Sequence, residues 1–293
     1  MKIVVGGGSG FIGSALVPAL RADGHEVLRL VRRDPTGADE RRWDPAAGDL
    51  DPGHLAGADV IVNLSGENLG KRWTDRRKRA ILESRVSATS LLARTVVAAE
   101  PRPTALLSAS AVGAYGNRGG EILTEESERG TGFLADVVRA WEAAADPARD
   151  AGLRVVHFRQ GIVLSDVVKR MLLPFKLGVG GRIGSGKQWW SWVSLDDLIA
   201  GYRRALDGDL DGVLNLTSPN PVTNEQLTKA LGRALNRPTV LPVPAFAART
   251  IFGEMGQELL LEGQRVLPAR LLAAGFTFGA PTIDVALEGA LAA

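Results

Sequence analysis

The feature that most restricts this chain is a glycine turn close to its start. Lys2–Val5 is a short apolar run that stops in glycine. Helical spacing sets in just beyond, with Ile12, Leu16, Ala19 and Leu20 sharing a face of Phe11–Ala22. Gly7, Gly10 and Gly13 spell G-x-x-G-x-x-G, while Gly8, Gly10 and Gly13 also satisfy G-x-G-x-x-G. Among 35 glycines such a pattern says little by itself. Its position between a strand-like run and a helix says more. There the first glycine permits a tight turn, the second lets the main chain approach a pyrophosphate, and the third lets the helix pack closely on the sheet. The amides at the helix start then face the phosphates. Gly7, Gly10, Phe11, Ile12 and Gly13 are therefore the expected phosphate cradle of a dinucleotide site.

The next apolar run, Glu26–Val31, bears on which dinucleotide. An NAD site wants an acid about 20 residues beyond the glycines, to bind the ribose 2′-hydroxyl. Val31 stands there, and Arg32 and Arg33 follow. Forked guanidinium groups match a 2′-phosphate in charge and geometry. NADP is the expected cofactor. Asp34 keeps NAD as the less favoured alternative, and two solvated loop arginines are the plain reading of the same residues.

Strand-like runs alternate with helical ones over the first ~160 residues. Asp59–Leu64, Thr104–Ser108 and Arg154–Phe158 read as strands; Ser84–Ala99 and Phe133–Ala145 read as helices. Such alternation builds βαβ units and a parallel sheet covered on both faces. Beyond Gly161 the rhythm changes. Leu172–Lys187 reads as a glycine-rich loop, Ser194–Leu206 as a helix and Val213–Leu216 as one more strand, after which Pro219, Pro221, Pro238, Pro242 and Pro244 punctuate short helices. The expected division is a Rossmann domain over residues 1–160, to which the stretch at about 192–217 returns. Residues 161–191 and 218–293 form a small, mostly helical substrate region that completes a cleft.

Composition narrows the chemistry. The chain has no cysteine, which removes disulfides, thiolate catalysis and cysteine zinc sites. Its three histidines, His25, His54 and His157, never fall at i,i+4 spacing, so no metal site is expected. A net charge of +2 gives no reason to expect nucleic acid. No stretch is long and apolar enough for a transmembrane helix. The start of the chain lacks the pattern of a signal peptide. A cytoplasmic setting is expected.

Further motifs follow in order. They are Asn63-Leu64-Ser65-Gly66-Glu67, Lys71-Arg72-Trp73-Thr74, Ser84-Arg85-Val86, the Ser108–Gly116 segment SASAVGAYG, and Trp141-Glu142. Pro174-Phe175, Gly184-Ser185-Gly186, Trp192–Asp197, Ser218–Val222 and Arg265-Val266-Leu267-Pro268 complete the series. This succession resembles the bacterial "epimerase family" oxidoreductases, an atypical branch of the extended short-chain dehydrogenase/reductases, along essentially the whole chain. The resemblance implies a seven-stranded Rossmann-like sheet, with substrate held between it and the C-terminal region. It also places Asn63, Leu64, Ser65 and Gly66 beside the adenosine and ribose, counts Ser108 with the cofactor residues, and puts Arg159 near the nicotinamide end.

The superfamily's usual catalytic set is a Ser or Thr with Tyr-x-x-x-Lys. Ser110 matches the serine, at a strand end. Where the pair belongs, the chain reads Gly132-Phe133-Leu134-Ala135-Asp136-Val137, so Phe133 and Val137 replace Tyr and Lys. Neither can carry a proton. The only tyrosines are Tyr115 and Tyr202. Tyr115 is the remaining candidate acid, or else a ring packed under the sheet edge; a phenol with its ordinary pKa near 10 would need help either way. Glu67, Lys71 and Arg72 form a second polar cluster, as a base with cations or as a solvated loop. Asp196 and Asp197 read as helix-start caps. Trp189, Trp190 and Trp192 divide between pocket lining and core. The basic run Arg76–Arg79 reads as a solvated helix face.

Three functions remain open on this reading. The first is an NADP-dependent oxidoreductase with a small-molecule substrate. The second is an NADP-binding sensor or structural protein without turnover. The third is an NAD-dependent nucleotide-sugar epimerase, which ranks last because it needs the missing pair. Monomer and dimer are both open, since the altered helix is the one through which such enzymes often pair.

Overall fold

A computed structural model describes residues 1–292. Its centre is a seven-stranded parallel sheet: β1 (Lys2–Gly6), β2 (Glu26–Val31), β3 (Glu40–Arg42), β4 (Val60–Asn63), β5 (Ala105–Ala111), β6 (Arg154–Gln160) and β7 (Gly212–Leu216). The strand order is β7-β6-β5-β4-β1-β2-β3. The chain runs outward from β1 in both directions, so β1 and β4 flank the topological switch point, where open α/β sheets bind ligands at the strand C-termini.

Both faces of the central strands are apolar, as a doubly covered sheet demands. Ile3, Val5, Val60, Val62, Ala105, Leu107, Val156 and Phe158 point to one side, against α1 (Gly13–Ala22) and α5 (Leu195–Arg204). Val4, Ile61, Leu106 and Val155 point to the other, against α2 (Asp75–Ala98). The expected α/β doubly wound architecture and its mostly helical C-terminal region are both present. A third core joins α4 (Leu164–Lys176), α6 (Asn224–Leu235) and α8 (Ile283–Ala292) around Trp190 and Trp192.

Three elements differ from the sequence reading. β3 is new; its three residues, Glu-Arg-Arg, carry no apolar alternation, and what fixes them is a buried Glu40 taken by arginines. The expected loop over residues 172–187 begins as the end of α4. Leu164, Val168 and Phe175 repeat at helical spacing and are buried, and Asp166 pairs with Arg170 one turn on. Pro174 sits in the last turn, and the glycines that ruled the reading start only at Gly178. Finally, α2 starts at Asp75 rather than Ser84. Thr74 caps it by accepting from the Arg77 amide at 3.3 Å.

Candidate functional site

The glycine turn is built to the measure of a phosphate. Gly7 has φ +79°, and a Cβ there would meet the Leu64 carbonyl carbon at 2.7 Å and the Ser65 nitrogen at 2.9 Å. A Cβ on Gly13 would lie 2.4 Å from the Gly7 oxygen, whereas one on Gly10 would meet only that oxygen, at 3.3 Å. Two glycines thus close the turn and the third leaves its outer side open. No side chain caps the start of α1, so its first amides are left to a ligand. Phe11 stands exposed at the rim and Ile12 tucks against the core.

The Asn63–Gly66 segment lies directly over this turn. Asn63 is fully buried; its Nδ2 donates to Thr89 Oγ1 at 2.8 Å and its Oδ1 accepts from the Ser65 amide at 3.1 Å. Those two bonds set the loop. Ser65 Oγ is buried, lies 3.3 Å from where a Gly6 Cβ would be, and has no partner in the protein. A buried hydroxyl without a partner is costly, and a ligand hydroxyl or phosphate would satisfy it. The cradle therefore fits a dinucleotide.

The two arginines after β2 separate. Arg33 is spent: Nη1 and Nη2 grip Glu40 at 2.8 and 2.7 Å, and Nη1 also reaches the Asp34 carbonyl. Glu40 is held ionised, its carboxyl lowered to about 2 by Arg33 and by the Thr36 amide. Arg32 is exposed and makes no ion pair among the described residues.

The expected catalytic residues lie inside the protein. Ser110 and Tyr115 are buried, not presented to a cleft. Ser110 Oγ donates to Glu142 Oε1 at 2.6 Å. Tyr115 Oη donates to Asn215 Oδ1 at 2.7 Å, its ring lying beneath the Arg159 guanidinium. Burial pushes the Tyr115 phenol further up, against the opposing charge of Arg159. Arg159 is buried too, and locks onto Glu142 through two 2.9 Å bonds. Burial alone would raise Glu142, but Arg159 and Ser110 bring its carboxyl below the ordinary value. Ser108 is fully buried and turns its hydroxyl to the Ala109 carbonyl. Ser108 and Arg159 are thus both buried and occupied by protein partners at the strand ends.

Other expected residues take different places. Asp197 is a fastener: it receives Ser194 Oγ and the amides of Gly279 and Ala280. Trp190 and Trp192 are core, while Trp189 is half-buried under Arg265. The basic run is only partly solvated, since Arg77 pairs with Glu67 and Lys78 with Glu254. Arg72 donates to the carbonyls of Thr250 and Ile251.

Sequence reasoning missed Glu258. It lies in a π-helical turn, Gln257–Leu261, that follows α7 (Ala245–Phe252). Its carboxylate accepts from the Phe133 and Leu134 amides at 3.1 Å each, capping α3 (Phe133–Ala143). Nothing in the local sequence marks it, because its partners lie more than a hundred residues away. Burial, with Glu254 and Glu262 nearby, raises its pKa despite those amides.

Comparison with known proteins fits this geometry. Residues 3–216 match the model described as the NAD dependent epimerase/dehydratase family, and residues 243–290 match a domain of unknown function, DUF1731. An epimerase family protein of Mycobacterium tuberculosis is 45% identical over 290 residues, which is 97% of this chain and 96% of that protein. A crystal structure of human epimerase family protein SDR39U1 (isoform 2) with NADPH is 37% identical. It covers 99% of this chain and 98% of its own, with a TM-score of 0.90. A Corynebacterium glutamicum structure described as a nucleoside-diphosphate sugar epimerase is 40% identical, with a TM-score of 0.82, over 99% of this chain and 58% of its own. With its sheet, its glycine turn and its C-terminal segment all matched, the chain belongs to the NAD dependent epimerase/dehydratase family.

Proposed function

We propose that this protein is an NADP(H)-dependent oxidoreductase of a small organic molecule. The observation that carries the cofactor choice is Arg32, which stands free at the end of β2 while its neighbour Arg33 is committed to Glu40. Gly7, Gly10 and Gly13 make the turn. The amides of Phe11 and Ile12 take the pyrophosphate, and Ser65 Oγ with the Asn63–Gly66 loop takes ribose oxygens. The human relative crystallised with NADPH supports the same choice. The nicotinamide, when bound, supplies the hydride chemistry. The working division keeps residues 1–160 with the cofactor and gives residues 161–191 and 218–293 to the substrate.

The chain's own contribution is positioning. The Ser110–Glu142–Arg159 set holds the ends of β5 and β6 rigid beneath the ligand. No helix among the described residues is long and apolar enough to cross a membrane. A cytoplasmic enzyme is our reading.

The test is direct. NADPH and NADH are titrated against the protein, and bound NADPH is then followed by absorbance against a panel of carbonyl and enone compounds. Equal affinity for both nucleotides would end the NADP assignment.

One observation favours a second reading, an NADP-binding sensor without turnover: Ser110 and Tyr115 are sealed in, and Phe133 and Val137 offer no proton. Tight NADPH binding with no oxidation by any compound would favour it.

A further inference from the structure

Arg85 has a seat but no acid. It projects from α2, and its Nη1 donates to the carbonyls of Glu67 at 3.0 Å and Ile81 at 3.1 Å. Its guanidinium carbon sits 5.1 Å from the centre of the Trp141 ring. Gly66 adjoins it, where a Cβ would come within 3.1 Å of that carbon and 3.3 Å of both terminal nitrogens. The guanidinium thus packs against both a glycine backbone and an indole face. No carboxylate among the described residues lies within 4.0 Å. Glu67, the acid nearest in sequence to that loop, gives its carboxylate to Arg77 instead. Burial pushes the Arg85 pKa down to about 10, so it remains a cation.

Arg85 is half-buried, and the only opposing charge that bears on it is the Glu67 carboxylate, which lies beyond ion-pair distance. Two carbonyls occupy Nη1; no protein hydrogen bond takes Nε or Nη2. That free edge is the pair of donors with which an arginine grips an oxyanion.

Location identifies the oxyanion. Arg32 lies at the end of β2, on one side of the β1/β4 switch point; Arg85 lies over Gly66, on the other side, beyond the β4 end. The glycine turn between them takes the pyrophosphate. A dinucleotide with its 2′-phosphate at Arg32 runs away from β2 and over Gly66 toward β5, so on this topology the nicotinamide half, and not the adenosine that the resemblance put beside Gly66, lies on the Arg85 side. Trp141, which backs the seat, adjoins Glu142, the acceptor of Ser110. We infer that Arg85 binds a carboxylate of the substrate at the reacting end of the site, which makes the substrate class a small carboxylic acid. The inference rests on the oxidoreductase reading above.

Malonate and inorganic phosphate serve as probes, titrated calorimetrically into nucleotide-free and NADPH-loaded protein. Wild type should bind malonate saturably. Arg85→Gln should weaken it about tenfold or more, the loss expected for a charge-assisted pair, and leave NADPH affinity within about threefold. Arg85→Lys keeps the charge but loses the fork, and should fall between; it carries the test alone should Arg85→Gln not fold. Malonate binding that is absent, or indifferent to either variant, overturns the assignment. So does phosphate bound more tightly than malonate through Arg85, or an NADPH affinity that falls in step with malonate's, which would give the seat to a cofactor phosphate. Failure of wild type to bind NADPH sinks the oxidoreductase reading separately, because the nucleotide-free titration still judges Arg85.

Discussion

Ser110 Oγ donates a 2.6 Å hydrogen bond to Glu142 Oε1, and both residues are buried. The serine that matches the superfamily's catalytic serine is one arm of a charged cluster. Glu142 also receives two bonds from Arg159 and one from Arg129 at 2.6 Å. Removing the carboxylate would strand two guanidinium groups, one of them fully enclosed. Glu142→Gln should therefore cost about 3–5 kcal/mol, and Ser110→Ala only about 1–2 kcal/mol. Urea unfolding measures both. Folded Ser110→Ala should keep NADPH affinity within about threefold. A stable Ser110→Ala protein that no longer binds NADPH would place the hydroxyl at the ligand after all.

Arg32 and Arg33 should part company under mutation. Arg32→Ala should weaken NADPH about tenfold or more and leave NADH almost unchanged, since only the 2′-phosphate loses a partner. Arg33→Ala should act on structure. It leaves the buried Glu40 to Arg29 and Thr36 alone, so melting temperature falls while the NADPH-to-NADH ratio holds. The reverse pattern, with Arg33 controlling discrimination, would show that the loop reorganises around the nucleotide.

His157 makes the fold sensitive to acid. It is buried in β6, neither ring nitrogen has a partner, and burial lowers its pKa to about 4. The unfolded chain takes up that proton near pH 6.5, whereas the folded one resists until about pH 4. Its contribution is thus intact above pH 6.5 and drains away as pH falls toward 4, by roughly 3 kcal/mol in all. Glu142, whose carboxyl is lowered in the fold, loses its contribution on the same acid side. His157→Leu gives up no hydrogen bond. Its stability should therefore fall more gently than wild type's between pH 6.5 and 4, as read by denaturation across that range. Parallel acid limbs for the two proteins would rule the histidine out.

The parts of this fold that were legible in sequence are those set by short-range rules. Apolar runs bounded by glycines marked β1 and β2, and the spacing of Gly7, Gly10 and Gly13 marked the turn, because both obey local geometry. Tertiary partners fixed what was illegible. β3 forms around a carboxylate that Arg29 and Arg33 bury. Ser110 was rightly placed at a strand end, yet the residue that claims it lies 32 positions on in another element. Arg33 looked as available as Arg32 because Glu40 gave no sign that it would fold back. The same rule hid the C-terminal contacts, whose partners lie more than a hundred residues away.

Those contacts support one more prediction, about how the C-terminal segment is held. Three side-chain links join residues 245–261 to the cofactor half: Arg72 to the Thr250 and Ile251 carbonyls, Lys78 to Glu254, and Glu258 to the first amides of α3. The first two are exposed and weak. The third satisfies two helix-start amides with one carboxylate, as a capping side chain does. Glu258→Ala should cost about 1–2 kcal/mol, the range of a lost cap, and should expose residues 245–261 to limited proteolysis several-fold faster than in wild type. Lys78→Ala, which removes a half-exposed ion pair and the ammonium 4.5 Å from the centre of the Phe133 ring, should change that rate less than Glu258→Ala does. NADPH affinity should survive both, because the phosphate cradle lies on α1 and the Asn63–Gly66 loop. Equal protease sensitivity in Glu258→Ala and Lys78→Ala would show that packing of Met255 and Leu259 against Trp73 and Phe133, and not the cap, holds the segment down.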